Sequence, residues 1–396
     1  MNPIGWTERQ SLQYLFPLII SISFAMDVFV PAIPEMTRFF KTDGTVMQAS
    51  LYVFMLTVAL GQLLAGPLAD HYGRRCITIY AALLFLIGSI LSAFSESVST
   101  LIIARMIQAA GACGTYLLCF IIIRDNFSTT VCARLFSILC GINAMVASSA
   151  PVIGGFLLDL TQDWHSGFYF LTLLGLLMSF MAFRNIPDYV YPKQESTHLN
   201  IFKTTKLILT HLEFRQHALI ASVSLLGLYL FCALSPGILI SQLHLSATQY
   251  GLWFGLNAIT VFLTNLVSAR LTYSYPLEKI VRWGLLWIIF SCILMISLNL
   301  YHVSVIRFMF PMLCLTFGIG LSMGTATALA LKDFKQQAGT ATALLGACQF
   351  GLSGCIGILT AQLNPEPSLL AFPVLCLGTL SLVGIKRSDL KPLINS

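Results

Sequence analysis

The sequence predicts an all-α membrane protein with twelve transmembrane helices in two six-helix bundles. Of its 396 residues, 57% are hydrophobic and 10% are charged, whereas soluble domains carry about 25% charged residues. Apolar runs of about 20 residues, enough for a helix to cross a bilayer, recur along the chain. Strands of a β-barrel would instead alternate over about 10 residues. Because lipid cannot pair backbone N–H and C=O groups, these runs are predicted to be helices.

Six spans are predicted in each half of the chain. Those of the first half are Leu12–Ile33, Val46–Ala69, Ile77–Phe94, Val98–Phe120, Leu135–Leu158 and Gly167–Phe183. Those of the second half are Ala218–Ile240, Tyr250–Ala269, Ile280–Leu300, Val303–Leu331, Ala338–Thr360 and Leu369–Ile385. Two sets of six indicate two parallel repeats, an internal symmetry found in transporters.

The longest stretch without a predicted span separates the two sets. It runs from Arg184 to Arg215 and contains two prolines and five basic residues. We therefore predict an N-terminal bundle at residues 1–190, a cytoplasmic central loop at 191–214 and a C-terminal bundle at 215–396. The first apolar run is long and contains Pro17 and Asp27, so we expect a retained helix rather than a cleaved signal peptide.

The distribution of Lys and Arg predicts the orientation in the membrane. With the N-terminus in the cytoplasm, eighteen of the 22 basic residues lie on the cytoplasmic side and only Arg38 and Lys41 lie outside. Lys and Arg favour the cytoplasmic side of membrane proteins. We expect both termini in the cytoplasm of a bacterial cell, with the protein in the inner membrane. The net charge of +6 is then an orientation signal, and no nucleic-acid partner is expected.

Cysteine and histidine do not point to a metal site or an enzyme. The eleven cysteines are scattered singly through apolar runs, where Cys acts as a small hydrophobic residue. The seven histidines fall in loops or near span ends. A membrane-embedded enzyme would be expected to cluster His, Cys or acidic residues at one depth, so we expect neither a metal site nor catalysis.

Ionisable residues inside a membrane are costly and usually functional. Asp27, Arg105 and Arg307 lie within the predicted spans, as does Arg282 at the cytoplasmic end of span nine. Arg307 is near the outer end of a long span, so its side chain is expected to reach the surface. Asp27 and Arg105 are deeper, each about 9–10 Å below the outer boundary at 1.5 Å per residue. They are the candidates for a functional role, and the spans of the second half contain no acidic residue.

Residues 66–75 form the most specific motif in the chain. Gly66, Asp70, Gly73, Arg74 and Arg75 fit the pattern G-x-L-A-D-x-x-G-R-R in the turn predicted between spans two and three. Glycine permits a sharp turn and close approach of helices, and the arginines are expected to anchor the turn. The pattern resembles the signature loop of the major facilitator superfamily, although His71 stands where that family usually has Arg or Lys.

Other segments extend this resemblance over nearly the whole chain. Leu101, Arg105, Gln108 and Gly111 are similar to the fourth-helix Arg motif of the superfamily. The segment 150–155, with Pro151, Gly154 and Gly155, is similar to the fifth-helix motif of its drug/proton antiporters. The bicyclomycin-resistance type (the Bcr/CflA subfamily) is resembled at residues 27–34, 124–125, 235–236, 251–257 and 338–341. Met323-Gly324 departs from that pattern, which has Pro-Asn.

The resemblance implies the major facilitator fold and the exchange of protons for an outgoing solute. Asp27 would take the proton, and Arg105 would adjust the proton affinity of Asp27. Residues 66–75 would latch the inner gate. Pro151 with Gly154 and Gly155 would kink span five and allow a tight contact that limits proton leak. No cofactor beyond the coupling proton is expected, and the protein would function as a monomer.

Polar residues within the spans are the candidates for contact with a substrate. They are Gln108, Asn143, Ser235, Asn257 and Gln349. Each is equally suited to a single hydrogen bond with a neighbouring helix.

The predicted function is proton-coupled, multidrug-type efflux of small amphipathic compounds across the inner membrane. One alternative is the dedicated export of an endogenous metabolite such as a siderophore. Another, proton-linked uptake, is disfavoured by the fifth-helix motif. Sharing a fold does not fix a function, so these alternatives stay open.

Overall fold

The computed structural model describes residues 5–127, 129–186, 201–300, 302–334, 338–361, 363 and 366–394. Within these ranges the chain is almost entirely helical and contains no β-strand. Eleven helical segments of the described residues are long and apolar enough to cross a membrane, and α7 contains a further, shorter apolar stretch at Met145–Thr161. The predicted all-α membrane fold is confirmed.

The helices of the first half begin with a broken segment. It consists of α1 (Glu8–Ile19), α2 (Ser21–Asp27), a 3-10 turn (Val30–Ala32) and α3 (Ile33–Phe39). Five long helices follow: α4 (Gly44–Tyr72), α5 (Arg74–Ala93), α6 (Val98–Asn126), α7 (Thr129–Thr161) and α8 (Ser166–Asn185).

The second half begins with a short helix in the stretch where the sequence predicts a polar loop. This helix is α9 (Ile201–Thr210), and it precedes α10 (Leu212–Pro236), which continues as a π-helical turn (Gly237–Gln242). The remaining helices are α11 (Ala247–Leu271), α12 (Leu277–Asn299), α13 (Val305–Leu331), α14 (Ala338–Ala361) and α15 (Pro367–Ile394). Ile208 of α9 is fully buried in an apolar cluster that also contains Phe214 and Phe334, so apolar packing holds this helix on the second half.

The chain divides into two compact units. The first consists of Met1–Thr197 with Ser246–Gly255, and the second of His198–Leu245 with Leu256–Ser396. Residues at the start of α11 therefore group with the first unit.

Small residues set the closest helix packing inside each unit. In the first, a Cβ atom at Gly111 of α6 would lie 2.2 Å from the backbone nitrogen of Phe85 in α5. In the second, Cβ atoms at Gly284 of α12 and Gly318 of α13 would each lie 2.9 Å from the carbonyl oxygen of the other glycine. Such close approach is how membrane helices associate where water does not drive them together.

Large apolar side chains cover much of the outer helix surfaces. Examples that are more than half exposed are Leu64, Leu173, Phe180, Ile306 and Leu359. A water-soluble protein does not expose apolar surface on this scale. Together with the apolar helices, this surface identifies a multi-pass integral membrane protein.

Candidate functional site

Prolines break the first span directly after Asp27. Pro31 has no N–H to donate to the carbonyl of Asp27, one turn earlier, and Pro34 likewise cannot donate to the carbonyl of Val30. That carbonyl accepts the N–H of Ile33 instead, in the tighter 3-10 pattern. Accordingly α2 ends at Asp27, a 3-10 turn occupies Val30–Ala32, and α3 begins at Ile33. The candidate proton carrier therefore lies where the span is least regular.

Asp27 is a buried carboxylate with an unsatisfied oxygen. Only 4% of the residue is exposed, and its Oδ1 atom has no hydrogen-bond partner. Buried polar atoms are nearly always hydrogen-bonded, so an orphaned carboxylate oxygen requires an explanation. Charge on this group is costly in an apolar surrounding, and protonation removes that cost.

Arg105 is buried between two aromatic rings. The residue has no exposed surface, and its guanidinium carbon lies 4.3 Å from the ring centre of Phe29 and 4.4 Å from that of Phe54. A cation over an aromatic face gains about 0.5–2 kcal/mol. Its Nε and Nη2 atoms have no hydrogen-bond partner, so most of its donors are unused.

Gln108 orients Arg105 from the next turn of α6. Its Oε1 accepts a hydrogen bond from Arg105 Nη1, while its Nε2 donates to Ser89 Oγ at 2.7 Å. Ser89 Oγ in turn donates to the carbonyl of Phe85 at 2.7 Å. Both ends of the amide are therefore engaged in a chain that fixes Arg105 to α5.

The sequence placed Gln108 among the substrate candidates and did not single out Ser89. The signal for a role beside Arg105 is the spacing of three residues, which puts Arg105 and Gln108 on one helix face.

Asp27 and Arg105 lie at similar levels of the first unit without forming an ion pair. Cys119 Sγ lies 3.7 Å from the carbonyl of Leu15, which places these two residues at one level. Asp27 is twelve residues along from Leu15 and Arg105 fourteen from Cys119, or about 18 and 21 Å at 1.5 Å per residue. No Asp27 oxygen lies within 4.0 Å of an Arg105 nitrogen, so the two groups occupy one region but keep their charges apart.

The segment that resembles the antiporter motif packs directly behind Asp27. Pro151, Gly154 and Gly155 are buried inside α7. A Cβ atom at Gly154 would lie only 1.8 Å from the carbonyl oxygen of Val28. The absence of a side chain at 154 is therefore what lets α7 reach the backbone next to the carboxylate.

The start of α11 packs on α7 within the first unit. A Cβ atom at Gly251 would lie 3.1 Å from Val152 Cα and 3.3 Å from the carbonyl oxygen of Pro151. Further along α7, Asp159 Oδ2 accepts hydrogen bonds from the Thr248 backbone, at 3.0 Å, and from its hydroxyl. A carboxylate at a helix N-terminus is favourable for the helix dipole.

The motif at residues 66–75 is mostly helical rather than a turn. Residues from Gly66 to Tyr72 are the last part of α4, and α5 begins at Arg74. Only Gly73 lies between them, with φ at +90°, a conformation that favours glycine. The expected turn is thus one residue long. A Cβ atom at Gly66 would meet no other atom within 4 Å, and the Asp70 side chain lies outside those the structure describes.

The two arginines after Gly73 tie this corner to other helices. Arg74 Nε donates to Asp125 Oδ2 at 3.0 Å, and Arg124 Nη2 donates to the other oxygen of Asp125 at 3.1 Å. Arg75 Nη2 donates to the carbonyl of Phe183 at 3.1 Å. The corner between α4 and α5 is therefore fixed to the ends of α6 and α8.

The other substrate candidates are distributed over both units. In the first, Asn143 Oδ1 accepts from Ser23 Oγ at 2.8 Å. In the second, Asn257 Oδ1 accepts from Thr316 Oγ1 at 2.5 Å, Ser235 is buried just before Pro236, and Gln349 is half-buried on α14. Asn143 and Asn257 thus link neighbouring helices, and substrate contact stays a prediction for all five residues.

Arg307 behaves as a surface residue. It is exposed in the first turn of α13, and its Nη1 donates to the carbonyl of His302 at 3.3 Å. In contrast to Arg307, Asp27 and Arg105 are ionisable residues that are buried within the spans of the first unit.

Comparison with known proteins adds three findings. The chain is 26% identical to a chloramphenicol resistance protein of Pseudomonas aeruginosa, over 93% of this chain and 88% of that protein. It is 25% identical to a bicyclomycin resistance protein homolog of Haemophilus influenzae, over 91% and 92% of the two chains. The crystal structure of a D-xylose-proton symporter matches with a TM-score of 0.78 at 13% identity, over 96% and 97%.

A family model gives the assignment for the chain as a whole. Residues 15–358 match the model of the Major Facilitator Superfamily, a range that runs from within α1 to most of the way through α14. The helical architecture and the sequence motifs agree with it. This chain belongs to the Major Facilitator Superfamily.

Proposed function

We propose that this protein is a proton-coupled exporter of small amphipathic compounds such as drugs. The observation that carries the proposal is the buried Asp27 carboxylate, whose Oδ1 has no partner, beside an Arg105 that is not paired with it. A structural carboxylate at this position would be expected to be paired. A carboxylate that must load and release a proton is better left without a permanent partner.

Arg105 sets the electrostatic surroundings of that carboxylate. Direct pairing at all times would keep Asp27 charged. The rings of Phe29 and Phe54 and the amide of Gln108 hold the guanidinium in place instead. Wetting and drying of the region as the transporter alternates would then change the cost of charge on Asp27 and drive proton loading and release.

Export rather than uptake is supported by two observations. The relatives are named for resistance to chloramphenicol and bicyclomycin, and Gly154 of the antiporter-like segment packs on the residue next to Asp27. Export of an endogenous metabolite such as a siderophore remains the second candidate, because the same machinery would serve it. The likeness to a D-xylose-proton symporter shows the fold alone.

The distribution of Lys and Arg supports a membrane location and an orientation for the chain. We propose a bacterial inner-membrane location with both termini in the cytoplasm, since Lys and Arg concentrate on that side. The coupling ion is the proton, no other cofactor takes part, and the functional unit is the monomer.

Proton movement in energised inverted membrane vesicles tests this function. Chloramphenicol, bicyclomycin and a panel of amphipathic cations are added while the internal pH is followed with a fluorescent dye. A transported compound is expected to release protons from vesicles that contain the protein. The controls are vesicles without it and the variant Glu96→Gln, which changes an exposed carboxylate. Transport of the compound into the inverted vesicles that continues unchanged after the proton gradient is collapsed would exclude the proposal.

A further inference from the structure

A crevice lies within the second unit. Its volume is about 380 Å³, within the range of about 300–1,000 Å³ of small-molecule sites. It is bounded by the end of the π-helical turn, the end of α12, the link to α13 and the start of α15. The lining residues are Gln242, Ile296, Asn299, Leu300, Val303, Glu366, Pro367 and Ser368.

The lining combines an apolar wall with hydrogen-bond acceptors. Ile296, Leu300, Val303 and Pro367 provide the wall, and Glu366 is the one ionisable residue among those that line the crevice. The Glu366 side chain is exposed, and its Oε2 accepts a hydrogen bond from Ser368 Oγ at 3.3 Å. One carboxylate beside apolar side chains favours a ligand with a positive head and an apolar body.

Asn299 adds a second acceptor that is not in use. Its Nδ2 donates to the carbonyls of Met295, at 2.9 Å, and Arg307, at 3.0 Å. These two bonds fix the amide, so that its oxygen cannot exchange places with the nitrogen. Its Oδ1 is buried and has no hydrogen-bond partner. An unpaired buried acceptor is uncommon. A ligand with N–H donors would satisfy it after a small movement of the side chains that line the crevice.

Arg307 and Glu366 do not form an ion pair, since no Arg307 nitrogen lies within 4.0 Å of a Glu366 oxygen. Arg307 follows the crevice along the chain, but it is not part of the lining. Its guanidinium is directed to the carbonyl of His302, to which Nη1 donates at 3.3 Å.

We propose that this crevice binds a primary ammonium group attached to a small apolar body. Glu366 supplies the charge, the Asn299 oxygen accepts an N–H, and Ile296, Leu300 and Val303 contact the body. The ammonium belongs either to a soluble amine or to an ethanolamine lipid headgroup, since both present the same chemistry. The site is independent of proton coupling at Asp27.

Titration of the purified full chain with benzylamine, which is protonated at pH 7, tests the site. The chain is held in nanodiscs of phosphatidylglycerol, and binding is followed by ligand-observed NMR. Glu366→Gln is expected to weaken binding at least tenfold, and Val303→Trp, which fills the crevice, to abolish it. Glu278→Gln, which changes an exposed carboxylate at the other end of α12, is the matched control and should bind as the native chain does.

Two further ligands test the separate contributions of the positive charge and of the N–H donors to binding. Benzyl alcohol, which has nearly the same shape without charge, should bind at least tenfold more weakly, and benzyltrimethylammonium, which has no N–H, should fall between the two. Competition by added phosphatidylethanolamine assigns the natural ammonium to the lipid, and its absence assigns it to a soluble amine. Equal binding of benzylamine to the native chain, Glu366→Gln and Val303→Trp, all with unchanged thermal stability, would overturn the proposal.

Discussion

Arg105 shows how a full charge is kept within a membrane bundle. A guanidinium with no exposed surface loses its contact with water, which is expensive in an apolar medium. The faces of Phe29 and Phe54 replace part of that hydration, and Gln108 accepts one N–H. The remaining donors stay available for changes of partner during transport.

The first prediction concerns Gln108 as the residue that positions Arg105. Replacing it by Leu removes the acceptor for Nη1 and the link to Ser89. A hydrogen bond to a charged group contributes about 1.5–3 kcal/mol, so Gln108→Leu should reduce gradient-driven efflux about tenfold or more.

The pH profile distinguishes positioning from general damage. Gln108→Leu should also shift the pH dependence of efflux, whereas Ser89→Ala, which removes only the support for the amide, should produce a smaller effect of the same kind. Wild-type rate and profile in Gln108→Leu, at equal expression, would assign Gln108 to packing alone.

The residues of the candidate site were partly predictable from the sequence. Asp27 and Arg105 stand out because charge is rare within the apolar runs. The aromatic neighbours of Arg105, Phe29 and Phe54, do not stand out, and neither does Ser89, which supports Gln108. All three are ordinary residues of a membrane helix and become informative only when the helices that carry them meet.

At the scale of helices, glycine positions decide how closely α7 approaches the broken first span. Gly154 touches the backbone of Val28, while Gly66 of α4 faces open space. Both lie inside helices, where Ala is preferred to Gly by up to about 1 kcal/mol. The same substitution should therefore have opposite effects at the two sites.

The second prediction is that Gly154→Ala destabilises the protein and Gly66→Ala does not. The added methyl at 154 would lie 1.8 Å from the Val28 oxygen, so α7 must move away, at a cost of about 1–3 kcal/mol for overpacking. Thermal unfolding in detergent should show a lower Tm for Gly154→Ala and an equal or higher Tm for Gly66→Ala. The reverse order would contradict this account of the α7 contact.

The third prediction concerns the corner at Gly73. Asp125→Asn removes the charge that holds Arg74 and Arg124 near the end of α6. Asn keeps the size and shape of the Asp125 side chain, so folding should survive while transport falls. We expect the same of Asp70→Asn on the strength of the motif. Near-normal transport in well-expressed Asp125→Asn would show that this corner has no role in gating.

Hydropathy predicts helices but not their interruptions. Span ten is predicted at Val303–Leu331, close to α13 at Val305–Leu331. The break after Asp27 and the near-continuous helix through Gly66–Tyr72 depend on local backbone geometry, which an average over about 20 residues does not reveal. Helix α9 was missed for a different reason, because its sequence neighbours are polar and its apolar face is short. That face becomes informative only in the fold, where Ile208 joins the buried cluster that contains Phe214 and Phe334.

For the whole molecule, charge distribution and family membership lead to a fourth prediction. Reporter fusions at Ser396 should be active only as cytoplasmic reporters, and insertions at residues 41–43, between α3 and α4, only as periplasmic ones. The bias of Lys and Arg is the physical reason. A periplasmic reporter that is active at Ser396 would reverse the orientation.

The central claim is that Asp27 carries the coupling proton. Asp27→Asn keeps the shape and burial of the side chain and removes only its ability to change charge. In proteoliposomes it should therefore still exchange labelled substrate for unlabelled substrate across the membrane, because exchange needs binding and alternation alone.

Gradient-driven transport is the measurement that decides. With an imposed proton gradient, the native protein and Glu96→Gln should accumulate substrate against its concentration gradient, and Asp27→Asn should fail to do so while its exchange rate stays close to that of the native protein. If Asp27→Asn accumulates substrate at the native rate with the native pH profile, Asp27 is not the proton carrier and the proposed mechanism is wrong.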